Sequence, residues 1–446
     1  MTIVGLDDTD SRVAGMCTTY AATRVAERIE AAGMEVHERL LVRLNPAVER
    51  KTRGNAALAV HTEMDAERAF RLATDAVASL TAVDDRTSPG VVVADCDPGA
   101  VPAAVSRFCT EALRRIHDLE DALALAEEYG FRHAAVRPNG ADGDHPGHGR
   151  IGALAAVGAW SALEEWTYEH VAYREFSRCG TPRTVDVESV FSAADSGYPA
   201  VWDTVDRGEA EPVCVPNAPG PILYGIRGDD PEACRAVADR IESEPVDRAA
   251  TFRTNQGTDV HVRSGDIGDL RDGAGYVVDG VVVDGPETGR GGHTFFGLAN
   301  PADVTSEPPG PRPTVPGDER DVACVAFEPT KRFRDRVRAL RPGDELTVVG
   351  EHDDGTIKLE KLAVRNLVDR KRTTPVCPGC ERTMESAGRD QGYRCRRCDT
   401  AADGKVPVEV TRDLDPGWYE VPPCARRHVA KPLVRGGFDA PTHPER

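Results

Sequence analysis

Three carboxylates, Asp7, Asp8 and Asp10, follow directly on the apolar run Thr2–Leu6. Oxygen donors of this hard type suit Mg²⁺. Crowded together they repel one another, and a cation or basic groups among them relieve that cost. Gly15 then precedes paired hydroxyls, Thr18 and Thr19, at the start of a helical pattern over 18–32. A helix N-terminus offers free N–H groups and a positive dipole end, both favourable to phosphate. A phosphate held there would lie between metal and amides, and a neighbouring hydroxyl could accept a phosphoryl group. An Asp-rich turn with a helix cap is the plainer explanation of the same residues.

Two further segments carry groups suited to phosphate. "NPAVERKTRGNAA" supplies Lys51, Arg53, Gly54 and Asn55, and "NGADGDHPGHGRIGALAA" supplies Gly147, Gly149 and Arg150. Glycine-rich loops let backbone N–H groups approach an anion. Each signal is weak alone, and neither has the Walker pattern of a P-loop enzyme.

The strongest local signal is "CPGCERTMESAGRDQGYRCRRC". It places Cys377, Cys380, Cys395 and Cys398 as two C-x2-C pairs separated by 14 residues. Four thiolates so spaced converge tetrahedrally on Zn²⁺, and with every position filled by protein the site is structural. A disulfide or redox pairing is the lesser alternative. Tyr393, Arg394, Arg396 and Arg397 decorate the second knuckle, either for phosphates and a stacked base or as a solvated face. "KRFRDRVRALRPGDE" adds Lys331, Arg332, Arg334, Arg336, Arg338 and Arg341, although any single arginine there fits an ordinary charged surface.

The elements that must position these groups fall into several units, as 446 residues require. Residues 1–185 alternate strands (2–6, 36–45, 56–63) with helical patterns (65–81, 99–115, 118–129, 150–163), which reads as an α/β or α+β domain. Residues 186–305 show a strand at 221–226, a helix at 230–244, a strand at 248–253 and more strands through 259–298, like a ferredoxin-like split βαβ. The proline-rich stretch 306–319 reads as a linker. Short alternating strands over 320–367 suggest an OB-fold barrel, assigned to 313–368, followed by a zinc ribbon at 369–402 and a tail at 403–446.

Composition narrows the function. The chain has no run of about 18 apolar residues, so a membrane span is not expected. The first strand begins at the second residue and leaves no room for a signal peptide, so the expected location is the cytoplasm. The remaining cysteines are mostly isolated and read as reduced core residues. The net charge of −19 fits a solvated acidic surface, as in a high-salt cytoplasm or an ordinary acidic enzyme. It argues against general nucleic-acid binding. Residues 311–400, however, carry a local net of roughly +3, so a polyanion is tolerated in the C-terminal third.

"GLDDTDSRVAGMCTTY", "LVRLNPAVERKTRGNAA", "FRTNQGTDVHV" and "GGHTFFGL" resemble the archaeal isoleucine-tRNA 2-agmatinylcytidine synthetases, the TiaS family, and the order of parts matches over nearly the whole chain. The resemblance implies an α+β multidomain fold: a kinase-like α/β N-terminal domain, a ferredoxin-like domain, an OB-fold barrel and a zinc ribbon. It implies an ATP-dependent ligase that joins agmatine to C2 of the wobble cytidine of isoleucine tRNA with a CAU anticodon, so that the tRNA reads AUA. The chemistry is sound: phosphorylating the C2 oxygen turns it into a leaving group that the agmatine amine can displace. In the family ATP ends as AMP and phosphate, and a threonine is itself phosphorylated.

Carried onto matching positions, Asp7, Asp8 and Asp10 would hold Mg²⁺ and ATP phosphates, and Thr18 would be the phosphorylated residue, with Thr19 as runner-up. Lys51, Arg53 and Asn55 would bind phosphate or polarise the transferring group, with Gly147, Gly149 and Arg150 acting from the glycine loop. That loop departs from the family's usual GNGRGLIGALAA: His148 replaces the amide, and the glycine after Arg150 is missing. Arg253, Asn255, Gln256 and Asp259 are read as contacting substrate or tRNA, against the alternative of a self-stabilised turn. Lys331, Arg332 and Arg334 are read as tRNA contacts. Agmatine carries two cationic groups and calls for carboxylates or π-faces. The competing reading is a non-catalytic single-stranded nucleic-acid binder built on barrel and ribbon, which leaves the Asp7–Asp10 cluster and the Gly15–Tyr20 segment without a task.

Overall fold

The apolar N-terminal run forms strand β1 (Thr2–Asp7), which is buried along almost its whole length. The structure, a computed structural model, describes all residues except 12–14, 50, 52–53, 85, 142–145, 304–320 and 390. In chain order there follow α1 (Thr18–Ala31), β2 (Val36–Arg43), β3 (Ala56–Thr62), α2 (Ala66–Leu80), β4 (Gly90–Ala94), α3 (Ala103–Ala112), α4 (Leu119–Glu128), β5 (Arg132–Ala135) and α5 (Gly149–Ala162). Next come β6 (Thr167–Tyr173), α6 (Val187–Gly197), β7 (Val201–Trp202), β8 (Ile222–Gly228), α7 (Pro231–Ala238) and β9 (Arg248–Thr254).

These strands form one nine-stranded sheet in the order β5-β4-β1-β3-β2-β9-β6-β8-β7. Side chains alternate faces along β1, so Val4 and Leu6 pack with α1 and α2 while Ile3 packs with α3, α4 and α5. α6 and α7 cover the far half, against β6 and β8. The two halves meet where β2 runs parallel to β9, through Leu40–Arg253 and Leu41–Thr254. β6 pairs with β8 and β9, so the second half of the sheet starts before the boundary expected at 185.

The strands that follow are β10 (Val262–Ser264), β11 (Ala274–Thr288), β12 (Thr294–Ala299), β13 (Asp321–Ala326), then helix α8 (Phe333–Arg338), β14 (Glu345–Asp353) and β15 (Thr356–Asn366). β11, β12, β13, β15 and β14 pair in that cyclic order, and β14 returns to β11, which closes a five-stranded barrel. The barrel therefore begins at 274, not 313, and takes strands that the sequence reading assigned to the second unit. The cause is the length of β11: register shifts at Val282–Asp284 and Asp284–Glu287 bend it, so one strand pairs on both sides of the closure. The stretch 306–319 lies outside the described residues and runs between two paired barrel strands, β12 and β13.

Beyond the barrel, β16 (Arg370–Thr373) pairs with β20 (Val406–Glu409) as a two-stranded ribbon, and between them β17 (Glu385–Ser386), β18 (Tyr393–Arg394) and β19 (Ala401–Ala402) form a small sheet. The tail returns as β21 (Gly417–Glu420), which pairs with β15. Among the described residues no helix is long and apolar enough to cross a membrane.

Candidate active site

One edge of the large sheet gathers the C-terminal ends of β1, β2 and β9 and the starts of β3, β4 and β6. Asp7 ends β1 there. Its carboxyl is buried, and burial first, then the neighbouring Asp8 and Asp10 charges, push its pKa well above the ordinary value. Its Oδ1 accepts the Asp8 N–H at 2.6 Å. Asp8 turns the chain with φ of +58°, a conformation that Asp tolerates better than most residues. Asp10 reaches the start of α1, where the N-cap residue Cys17 makes no side-chain cap. Its Oδ1 accepts from the Thr18 N–H and, at 3.0 Å, from Thr18 Oγ1. Thr18 Oγ1 in turn lies 3.2 Å from Thr9 Oγ1. The Thr19 hydroxyl sits elsewhere, 3.3 Å from Cys17 Sγ. The structure thus brings Asp7, Asp8, Asp10 and Thr18 together and separates Thr19 from the Asp10 carboxylate.

Helix α5 presses its small-residue face on this strand end. A Cβ at Gly152 would stand 1.9 Å from Asp7 Oδ2, and one at Gly149 would stand 2.5 Å from the Asp7 carbonyl oxygen. These glycines admit the carboxylate and its backbone. Ser88, which the sequence reading missed, ties the glycine loop to the carboxylates. Its Oγ accepts the N–H groups of Gly147 and His148 at 3.0 and 3.1 Å, and its own N–H donates to Asp8 Oδ2 at 3.0 Å. Arg150 folds back on the loop, donating to the carbonyls of Gly147 at 3.1 Å and Pro146 at 2.7 Å.

The loop after β2 leaves the same edge. Lys51 Nζ donates to the carbonyls of Pro46 and Val48, and Asn55 Nδ2 donates to the Asn45 carbonyl at 2.9 Å. Arg53 lies outside the described residues.

Arg43, at the end of β2, is the other residue the sequence reading missed. Its only local signal is a charge at the buried end of an apolar strand. Its guanidinium meets Gln256 Oε1 at 2.9 Å and Glu169 Oε2 at 3.3 Å, and Arg227 meets the other Glu169 oxygen at 3.3 Å. Burial pulls the Arg43 pKa down against the pull of Glu169, and Asp10 is among the charges it feels. Burial opposes ionisation of Glu169, yet Arg227 and Arg43 hold its carboxyl below the ordinary value.

The Arg253–Asp259 segment is engaged by other parts of the chain. Arg253 pairs with Glu38 at 3.1 Å and lies over the rings of Trp160 and Tyr168. Asn255 acts as a surrogate strand, accepting the Arg43 N–H at 2.8 Å and donating to the Arg43 carbonyl at 3.0 Å. His261 Nε2 contacts that same carbonyl at 2.9 Å, and His428 from the tail contacts the Leu44 carbonyl at 3.2 Å. Asp259 accepts from Lys361 Nζ at 2.8 Å and from the Lys431 N–H at 2.8 Å, joining sheet, barrel and tail. Arg332 pairs with Asp206 at 2.9 Å and with Glu445, Lys331 approaches Glu209 at 3.6 Å, and Arg334 donates to the Gly292 carbonyl at 2.7 Å.

The sulfurs of Cys377, Cys380, Cys395 and Cys398 all lie within 4.8 Å of one another. Thr400 and the neighbouring thiols bring the Cys398 thiol down to about 6, while Cys398 and its neighbours push Cys380 up to about 12. Four convergent soft donors, two of them buried, fit the tetrahedral thiolate shell of Zn²⁺.

Three family models match this chain: the TiaS TCKD domain over residues 3–64, the TiaS FLD domain over 147–261 and the TiaS C-terminal zinc ribbon domain over 374–414. The chain is 55% identical to the isoleucine-tRNA 2-agmatinylcytidine synthetase TiaS of Haloquadratum walsbyi, over 100% of both chains. It matches the crystal structure of TiaS in complex with isoleucine tRNA and ATP with a TM-score of 0.85 and 37% identity, over 100% of this chain and 99% of that one. TiaS in complex with isoleucine tRNA, AMPCPP and agmatine matches with a TM-score of 0.83 and 35% identity, over 100% and 99%. The barrel, the cysteine quartet and the sheet edge thus sit in a chain that belongs, end to end, to the TiaS family of isoleucine-tRNA 2-agmatinylcytidine synthetases.

Proposed function

We propose that this protein uses ATP to conjugate agmatine to C2 of the wobble cytidine of isoleucine tRNA with a CAU anticodon, in the cytoplasm, so that the tRNA reads AUA. One observation carries the reading: the chain corresponds over its whole length to one crystallised with isoleucine tRNA, AMPCPP and agmatine. The sheet edge supplies the groups such a reaction needs.

Asp7, Asp8 and Asp10 would hold Mg²⁺. The donor set fits, since one carboxylate is buried beside two like charges and a cation offsets that arrangement. When bound, the ion would neutralise phosphate charge during transfer. Thr18 is the phosphoryl acceptor. As its Oγ1 bonds to the γ-phosphorus of ATP, the bond from that phosphorus to the β–γ bridging oxygen breaks and releases ADP, and the hydroxyl proton passes to Asp10, which already accepts that hydroxyl at 3.0 Å. Phosphorylation of the cytosine C2 oxygen then makes phosphate the leaving group, and the agmatine amine takes its place at C2. Lys51, Asn55, Gly147, Gly149 and Arg150 shape the loops around the phosphates. Arg253, Asn255, Gln256 and Asp259 hold the edge and the barrel in register, and are positioning residues. Lys331, Arg332 and Arg334 fix the barrel to the second half of the sheet in the same way. We read the first half as kinase-like, the second as ferredoxin-like and the barrel as an OB-fold, a reading that the closed five-stranded barrel and this division of labour support.

Mass spectrometry of isoleucine tRNA incubated with protein, ATP and agmatine tests the reading. The expected product carries the mass of agmatine less one water at the wobble cytidine, only when ATP is present. Unchanged tRNA under conditions where a relative modifies it would overturn the proposal.

A further inference from the structure

Ser88 stands just before β4, half-buried, where the turn of Asp8 and Asp10 meets the glycine loop ahead of α5. The short segment that ends on it braces that turn at three points. Asp84 Oδ2 accepts the Ser11 hydroxyl at 2.8 Å, the Thr87 hydroxyl donates to the Asp10 carbonyl at 2.7 Å, and the Ser88 N–H donates to Asp8 Oδ2 at 3.0 Å. On its other side Ser88 takes three successive amides of the loop. Its Oγ accepts the Gly147 and His148 N–H groups at 3.0 and 3.1 Å, and its carbonyl accepts the Gly149 N–H at 2.9 Å. Arg150 is engaged too, donating to the Gly147 carbonyl, the Pro146 carbonyl and His133 Nδ1 at 3.1, 2.7 and 3.2 Å. The groups that a glycine loop ordinarily offers to phosphate are therefore turned toward Ser88 and the loop itself. A hydroxyl has two acceptor lone pairs and one proton. Both lone pairs of Ser88 Oγ are taken by amides, and among the described residues no group accepts its proton. Two N–H donors on the oxygen polarise the O–H and make it a stronger donor.

We propose that Ser88 is a phosphate-contacting residue of the ATP site: the loop amides orient its hydroxyl, and the hydroxyl donates its hydrogen bond to a phosphate oxygen. The inference rests on the ATP reading given under Proposed function and deepens it. The glycine loop then acts on the nucleotide through Ser88 and not by its own N–H groups. The same residue couples the two sides of the site, because its N–H holds Asp8 while its Oγ holds the loop. A phosphate oxygen is the acceptor that fits: it can lie beside the Asp8 and Asp10 carboxylates when a cation comes with it, and a charged acceptor makes the stronger hydrogen bond.

The test uses the full chain as parent, Ser88→Ala and Ser88→Thr. Ser88→Ala removes the hydroxyl and leaves the backbone ties to Asp8 and Gly149 in place. Ser88→Thr keeps a hydroxyl, and thermal unfolding checks the fold of both. Affinities for ATP with Mg²⁺, for adenosine and for isoleucine tRNA are measured, with KM for ATP and for agmatine. Ser88→Ala should bind ATP about tenfold or more weakly, as loss of a hydrogen bond to a charged group does. Its KM for ATP should rise by the same factor, while KM for agmatine and the affinities for adenosine and tRNA stay at the parent values. Ser88→Thr should recover most of the ATP affinity. Parent-like ATP binding by Ser88→Ala would overturn the proposal. So would a loss shared equally by adenosine or tRNA, which would make Ser88 a structural residue of the edge, or a folded Ser88→Thr protein as weak as Ser88→Ala. A parent that binds no ATP would overturn the ATP reading itself, and the proposal with it.

Discussion

Asp7 and Asp259 are carboxylates near the same edge of the same sheet, in segments equally dense in polar residues, and their surroundings are opposite. Asp7 is buried with Asp8 and Asp10 for neighbours, and both raise its pKa further. Asp259 faces Lys361 Nζ and the Lys431 amide, and its segment-mates Arg253, Asn255 and Gln256 each meet a complementary group. Buried like charges cost stability, and such a cost persists where a ligand offsets it. Complementary pairs between distant segments hold architecture. Polar density alone does not separate the two cases; the sign of the neighbours does.

The largest expected effect falls on Thr18. Thr18→Ala should abolish transfer of labelled γ-phosphate to the protein and lower tRNA modification by roughly 10³-fold or more, as loss of a reacting group does. Thr18→Ser should restore part of both. Modification by Thr18→Ala at the parent rate would reduce Thr18 to a helix-start residue and move the test to Thr19.

Gly152→Ala probes the same cluster from the helix behind it. Its Cβ would stand 1.9 Å from Asp7 Oδ2, so either the carboxylate or α5 must move. Overpacking of this kind costs about 1–3 kcal/mol, and a displaced carboxylate costs about 10²-fold in turnover. Urea unfolding and single-turnover assays measure the two parts. Parent-like turnover would show that the Asp7 position does not matter.

Asn255→Ala sharpens the contrast from the other segment. It removes both contacts to the Arg43 backbone and should cost about 2–3 kcal/mol in urea unfolding, with far less loss of turnover per folded molecule. A loss of turnover much larger than the loss of stability would move Asn255 into the reacting site. The histidines on the same backbone add a pH signature. Burial lowers the pKa of His261 to about 4 and that of His428 well below 6.5. Unfolded histidine binds a proton near about 6.5, so the unfolded state takes up more protons as pH falls. The His261 contribution is present above about 6.5 and should be lost between there and about 4, and that of His428 is lost in the same direction as pH falls. His261→Gln should flatten that part of the stability–pH curve.

The smallest effect has the opposite sign. Asp7 has a raised pKa, so the stability linked to its protonated form is lost as pH rises through that value. Asp7→Asn should therefore be about 1 kcal/mol more stable than the parent at neutral pH without divalent ions, while losing activity. A less stable Asp7→Asn protein would contradict the like-charge description of the cluster.

Much of this was legible in the sequence. β1, α1 and α5 form where an apolar run, a helical pattern and small residues indicated, and the cysteine spacing located the four-cysteine cluster. What escaped depends on distant partners. The two-residue pairing of β2 with β9 that fuses the halves has no local signature. The bend that lets β11 serve two sides of the barrel depends on β12 and β14. Ser88 and Arg43 matter only because the fold brings Asp8 and Glu169 to them. The polar run at 253–259 announced itself, but its partners are up to 215 residues away, as with Arg253 and Glu38.

One measurement separates the two segments most directly: modified cytidine formed per folded enzyme by Asp10→Asn and by Arg253→Gln, at matched tRNA, ATP, agmatine and Mg²⁺. The cluster at the end of β1 should be essential, so Asp10→Asn should fold, bind tRNA and form no product. Arg253→Gln should form product at a rate within a few-fold of the parent. The reverse pattern, or equal activity in both, would contradict the assignment of catalysis to the carboxylate–threonine edge.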